Sequence, residues 1–76
     1  MDIKIGLYRH FKGKLYEVIE TATHSETREP MVVYRALYGE YGLWVRPAAM
    51  WNETVDRDGY HVPRFQYIGD KLPENG

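Results

Sequence analysis

Seventy-six residues, with ten Lys and Arg against eleven Asp and Glu, give a small chain of formal charge −1. The length excludes a second hydrophobic core, and the near balance of charge argues against generic polyanion binding, which is built from many phosphate contacts. Cysteine is absent, which excludes disulfide staples and thiolate metal sites. No apolar run approaches the ~20 residues that cross a bilayer. Met1-Asp2-Ile3-Lys4 lacks the basic start and apolar stretch of a secretion signal, so a cytoplasmic chain without membrane contact is expected. Ordering a residue costs about 1.5 kcal/mol, so so short a chain needs dense apolar burial. Seven Tyr, two Trp and two Phe are the richest source of it.

Gly6-Leu7-Tyr8-Arg9-His10-Phe11 reads as a first strand, with Leu7, Arg9 and Phe11 on one face and Tyr8 and His10 on the other. Lys12-Gly13-Lys14 is a compact turn whose glycine tolerates positive φ. The run from Leu15 to Ala22 follows as a second strand, its alternation grouping Tyr16, Val18 and Ala22. The polar stretch from His24 to Pro30 is a loop, because proline discourages a helical Glu29 and Ser25 with Arg28 makes no capping box. Met31 to Tyr38 is the strongest strand pattern, apolar on both faces at its start, as suits a central strand. Gly39-Glu40-Tyr41-Gly42 turns the chain into a fourth strand, Leu43-Trp44-Val45-Arg46, which Pro47 closes.

Ala48-Ala49-Met50-Trp51 is short enough to be a single 3₁₀ turn. Asn52 to Val55 is a short strand, Asp56-Arg57-Asp58-Gly59 a turn, and Tyr60 to Ile68, interrupted by Pro63, at best an edge strand. Residues 1–70 form one β domain, and 71–76 are expected to be a flexible tail. The expected fold is all-β: a small, SH3-like, partly open barrel of about five strands with one 3₁₀ turn. An OB-like or open meander arrangement is the second choice.

Several phrases recur in a recognisable order: Gly6-x-Tyr8-Arg9-His10-Phe11-Lys12-Gly13, Tyr16-x-Val18, His24-Ser25-Glu26-Thr27, Val32-Val33-Tyr34, Leu37-Tyr38-Gly39, Trp44-Val45-Arg46-Pro47, Met50 and Pro63-Arg64-Phe65. Together they resemble the bacterial family catalogued as domain of unknown function 1653, over roughly residues 6 to 65. Trp51 stands where that resemblance leads one to expect Phe. The resemblance implies a compact bacterial domain and assigns neither an activity nor catalytic residues.

Two constellations carry candidate chemistry. The first is Arg9-His10 with His24-Ser25-Glu26. A metal needs three or four ligands at about 2.0–2.2 Å. His10, His24, Glu26 and His61 offer donors without ligand spacing, so His24 and Glu26 read first as groups that pin a loop. Ser25 and His24 are adjacent, point apart on extended backbone and make no nucleophile–base pair. The second is Trp44-Val45-Arg46-Pro47 with Tyr38, Tyr41 and Arg64. It suits an aromatic groove for a proline-rich peptide or stacked bases, with arginine as the polar anchor. Against it, Trp44 reads as the core tryptophan, and Arg46 as a partner of Glu53 or Asp56.

Residues 1–14 carry net +3 and residues 15–30 net −3, which neutralise one another if the two segments are hairpin arms. The candidate binding residues are therefore Tyr8, Arg9, His10, His24, Glu26, Tyr38, Tyr41, Arg46 and Arg64. No catalytic set, metal or cofactor is assigned. The expected function is a non-catalytic binding or accessory module for a peptide, protein or single-stranded nucleic acid, with homodimerisation open. The alternative is a small metal-dependent or general acid/base enzyme using His10, His24 and Glu26.

Overall fold

The computed structural model describes residues 3–70. The expected tail lies outside them. Gly6–His10 (β1) and Leu15–Thr23 (β2) form an antiparallel hairpin in which Tyr8 faces Tyr16. Its loop is a tight turn: Gly13 N–H donates to His10 O at 2.7 Å, and His10 N–H donates to Lys14 O at 2.8 Å. Gly13, at φ 104, supplies the positive dihedral that this closure requires.

Pro30–Ala36 (β3) pairs with β2, and Leu43–Pro47 (β4) pairs with β3. A short helix, Ala48–Trp51 (α1), follows. Thr54–Arg57 (β5) and Tyr60–Pro63 (β6) make a separate two-stranded hairpin. Its turn residues Asp58 and Gly59, both at positive φ, have the twist that matches a two-residue loop. Phe65–Gly69 (β7) returns to pair antiparallel with β1. The main sheet thus runs β4-β3-β2-β1-β7.

The all-β class expected from the sequence holds. The main sheet has five strands and stays open: its order ends on β4 and β7, and no ladder joins them among the described residues. The segment from Tyr60 to Ile68, expected to be at best one edge strand, is divided at Arg64, so β6 belongs to the hairpin and β7 to the sheet. The helical turn is α rather than 3₁₀, since Asn52 N–H reaches Ala48 O, four residues back, at 3.2 Å.

One face of the sheet carries the core: Tyr8, Val18, Val32, Tyr34 and Phe65, closed by Ala48 and Trp51 from α1. Alternation along β3 puts Val32, Tyr34 and Ala36 inward. In β2 the alternation breaks. The register slips between Val18 and Glu20, leaving Ile19 as a bulge, so Thr21 rather than Ala22 stands opposite Val32. Ala22 is exposed, on the opposite face from Val18, and the expected Tyr16–Val18–Ala22 stripe ends at the bulge.

Trp51, not Trp44, is the core tryptophan. Trp51 is 1% exposed and stacks flat on Phe65 with ring centroids 3.7 Å apart, while Tyr8 and Tyr34 meet it at 5.2 and 4.8 Å. Trp44 is 60% exposed on the edge strand. The indole N–H of Trp51 is buried without a partner among the described residues, a cost of about 1–3 kcal/mol that the ring contacts offset.

Candidate binding groove

The aromatic core does not stop where α1 stops covering it. From Trp51 a chain of edge-to-face rings runs along the inner face: Tyr34 to Tyr16 at 5.6 Å, then Tyr16 to Tyr38 at 5.5 Å. Tyr34 is paired across the ladder with Trp44, and Val32 with Arg46, so Trp44 and Arg46 share the core face of an edge strand. That uncovered part of the face forms an open groove of about 500 Å³. Tyr16, Tyr34, Ala36, Tyr38, Trp44 and Arg46 line it.

Gly39, Glu40 and Gly42, from the β3–β4 connection, complete the lining. Gly42 lies beside the indole: a Cβ there would make an ordinary contact, 3.5 Å from the Trp44 Nε1 atom. The turn is held by Ala36 N–H to Gly42 O and Tyr41 N–H to Tyr38 O, both 3.1 Å.

The groove's polar groups are specific. The hydroxyls of Tyr16 and Tyr38 hydrogen-bond at 2.6 Å. Burial, and then the bond to Tyr38, push the Tyr16 phenol up to about 12, so it stays protonated at neutral pH. Lys14 Nζ stands 4.8 Å from the Tyr38 ring centre, and the Arg46 guanidinium lies 5.6 Å from that of Phe65. Arg46 takes neither Glu53 nor Asp56 as its expected partner. Arg64 pairs with Glu53 at 3.5 Å, and Asp56 pairs with His61 at 2.7 Å.

The remaining candidates divide by location. Tyr8 is buried in the core, its hydroxyl donating to Lys4 O at 2.8 Å. Tyr41 has an exposed ring outside the groove lining, and its carbonyl accepts from Arg35 Nη1 at 2.7 Å. Arg9 and His10 line a separate crevice of about 260 Å³ between the sheet and the β5–β6 hairpin. His10 packs on Phe65 and Phe11 at 5.0 and 4.5 Å. Burial, then the charges of Arg64, Lys12 and Arg46, hold its imidazole below the ordinary value of 6.5.

His24 accepts from the N–H groups of Glu26 and Thr27 at 3.1 and 3.2 Å, within its own loop. His10 flanks one end of β2 and His24 the other. Nine extended residues separate them by on the order of 30 Å. The His10–His24–Glu26 set is therefore not brought together, and among the described residues no three His, Asp or Glu gather as metal ligands.

Sequence reasoning missed Tyr16, Tyr34 and Glu40 as groove residues, and Phe11, Arg57 and Gln66 in the crevice. The position of Tyr16 opposite Tyr8 in a hairpin was the available signal; the crevice had none, because it depends on where the second hairpin lands.

The family model described as "Protein of unknown function (DUF1653)" matches residues 6–67. The chain belongs to that family. A crystal structure of a DUF1653 protein from Bordetella bronchiseptica is 43% identical to it, superposes with a TM-score of 0.85 and is covered over 96% of each chain. A comparison with curated proteins gives no match. The family thus fixes the fold and leaves the activity open, and the geometry of the groove carries the functional argument.

Proposed function

We propose that this DUF1653 domain is a non-catalytic binding module whose β3–β4 groove holds an extended, proline-bearing peptide with an acidic residue. The observation that carries this is the 500 Å³ groove itself, in which Trp44 stands uncovered beside tyrosines packed edge to face. Crossed rings present ridges and slots, which suit the pyrrolidine rings of a polyproline II segment. Stacked bases need free ring faces. Lys14 lies over Tyr38 and the other tyrosines are turned against one another, which leaves Trp44 alone with an open face.

The Trp44 indole N–H and the hydrogen-bonded Tyr16–Tyr38 hydroxyl pair are donors for ligand carbonyls. Arg46, half-buried and without a carboxylate partner among the described residues, suits the acidic side chain.

The test is a titration with proline-rich peptides, with and without a flanking Glu, beside single-stranded RNA at low and physiological salt. Peptide binding that changes little with salt and weakens at least about tenfold in Trp44→Ala is expected. Saturable binding of RNA alone, falling steeply with salt, contradicts the peptide reading.

A further inference from the structure

The second crevice lies where the β5–β6 hairpin meets the sheet, and its polar groups come from both bodies. Arg9 and Gln66 are partners in the β1–β7 ladder and share a face of the sheet. Arg57, the last residue of β5, reaches from the hairpin, and one of its guanidinium nitrogens donates to Phe11 O. Its remaining N–H groups are not used by that bond.

No carboxylate among the described residues lines this crevice. Among the described residues, Glu53 pairs with Arg64 and Asp56 with His61, Asp58 and Glu17 pair with neither arginine, and neither Arg9 nor Arg57 forms an ion pair. Two guanidiniums converging on one concavity repel each other unless an anion lies between them. The rest of the lining is the His10 imidazole, packed on Phe11, and the apolar Phe11, Val62 and Pro63.

We propose that this crevice is a binding site for an organic phosphate monoester, its phosphoryl group bridging Arg9 of the sheet and Arg57 of the hairpin. The donors exceed what the two oxygens of a carboxylate accept. A tetrahedral phosphoryl group presents three oxygens and faces both bodies at once. Gln66 supplies an amide donor from the sheet side. The carbon moiety rests on Phe11, Val62 and Pro63, in a volume of about 260 Å³ that a bare phosphate leaves unfilled. The ligand thereby clamps the hairpin to the sheet. This site uses none of the groove residues and stands or falls separately from the peptide proposal.

The probe is phenyl phosphate, followed by amide shifts in nitrogen-15 spectra, with inorganic phosphate and benzoate as comparisons. Saturable shifts at Phe11, Arg57, Val62 and Gln66 are expected, with binding weakened about tenfold or more in Arg9→Gln and in Arg57→Gln. Both side chains are exposed, and the spectrum of each free variant reports that it is folded. Arg46→Gln, in the groove, is expected to bind as the parent does. Absence of saturation, equal binding of benzoate or of inorganic phosphate, or affinity unchanged in both crevice variants overturns the proposal.

Discussion

Two tryptophans divide the aromatic surface between a closed part and an open one. Trp51, stacked on Phe65 and edged by Tyr8, fills the space between α1 and the sheet. Trp51→Ala is expected to cost about 3–5 kcal/mol, a large share of the stability of any small domain, and to unfold the protein in thermal denaturation. Trp44→Ala, at an exposed edge, is expected to leave the melting temperature within a few degrees of the parent. The sequence alone could not assign these roles. Both indoles sit in apolar company, and only the order of the strands makes β4 an edge.

His10 yields a pH prediction of definite sign. Its folded value is lowered, first by burial and then by Arg64, Lys12 and Arg46, so the unfolded chain takes up the proton more readily. Its contribution to stability is full above 6.5 and declines as pH falls from there through the lower folded value. Chemical denaturation of the parent and of His10→Gln across that window is expected to show a shallower decline in the variant.

At the scale of elements, the glycine turns and the period-two patterns were legible because each is a local necessity. A three-residue loop needs Gly13, and β3 buries every second residue whatever its neighbours are. The Ile19 bulge was not legible, because one inserted residue moves the following side chains to the other face without altering composition.

A second irregularity lies between β1 and β7, where the register shifts at Leu7 and Tyr8. There Gly6 has φ 138, and a Cβ on it would stand 2.5 Å from Gly69 O. That oxygen belongs to backbone and cannot swing away. Gly6→Ala is therefore expected to destabilise by roughly 1–3 kcal/mol, measured by urea unfolding, whereas Gly13→Ala meets no steric contact and carries only the dihedral penalty.

At the scale of the molecule, helical coverage decides where a surface is left over. A single turn of helix cannot roof a five-stranded sheet, so the inner face is closed where Trp51 packs on Tyr8, Tyr34 and Phe65 and is left uncovered toward the β3–β4 turn. The same tyrosines that extend the core also build the groove, which is why their spacing looked like core alone. Tyr38, Trp44 and Arg46 were identified from sequence as one constellation, because a turn and the strand after it hold them together. Tyr41 and Arg64 joined that constellation by residue type, and the fold places neither in the groove. His10 and His24 were grouped by chemistry, and the length of β2 separates them.

The indole N–H signals of the two tryptophans offer the most direct measurement of this division. On titration with a proline-rich, Glu-bearing peptide, the Trp44 signal is expected to shift progressively to saturation while that of Trp51, sealed under α1, stays in place. A Trp44 signal that does not move while other parts of the protein saturate with the peptide would place binding elsewhere and contradict the groove.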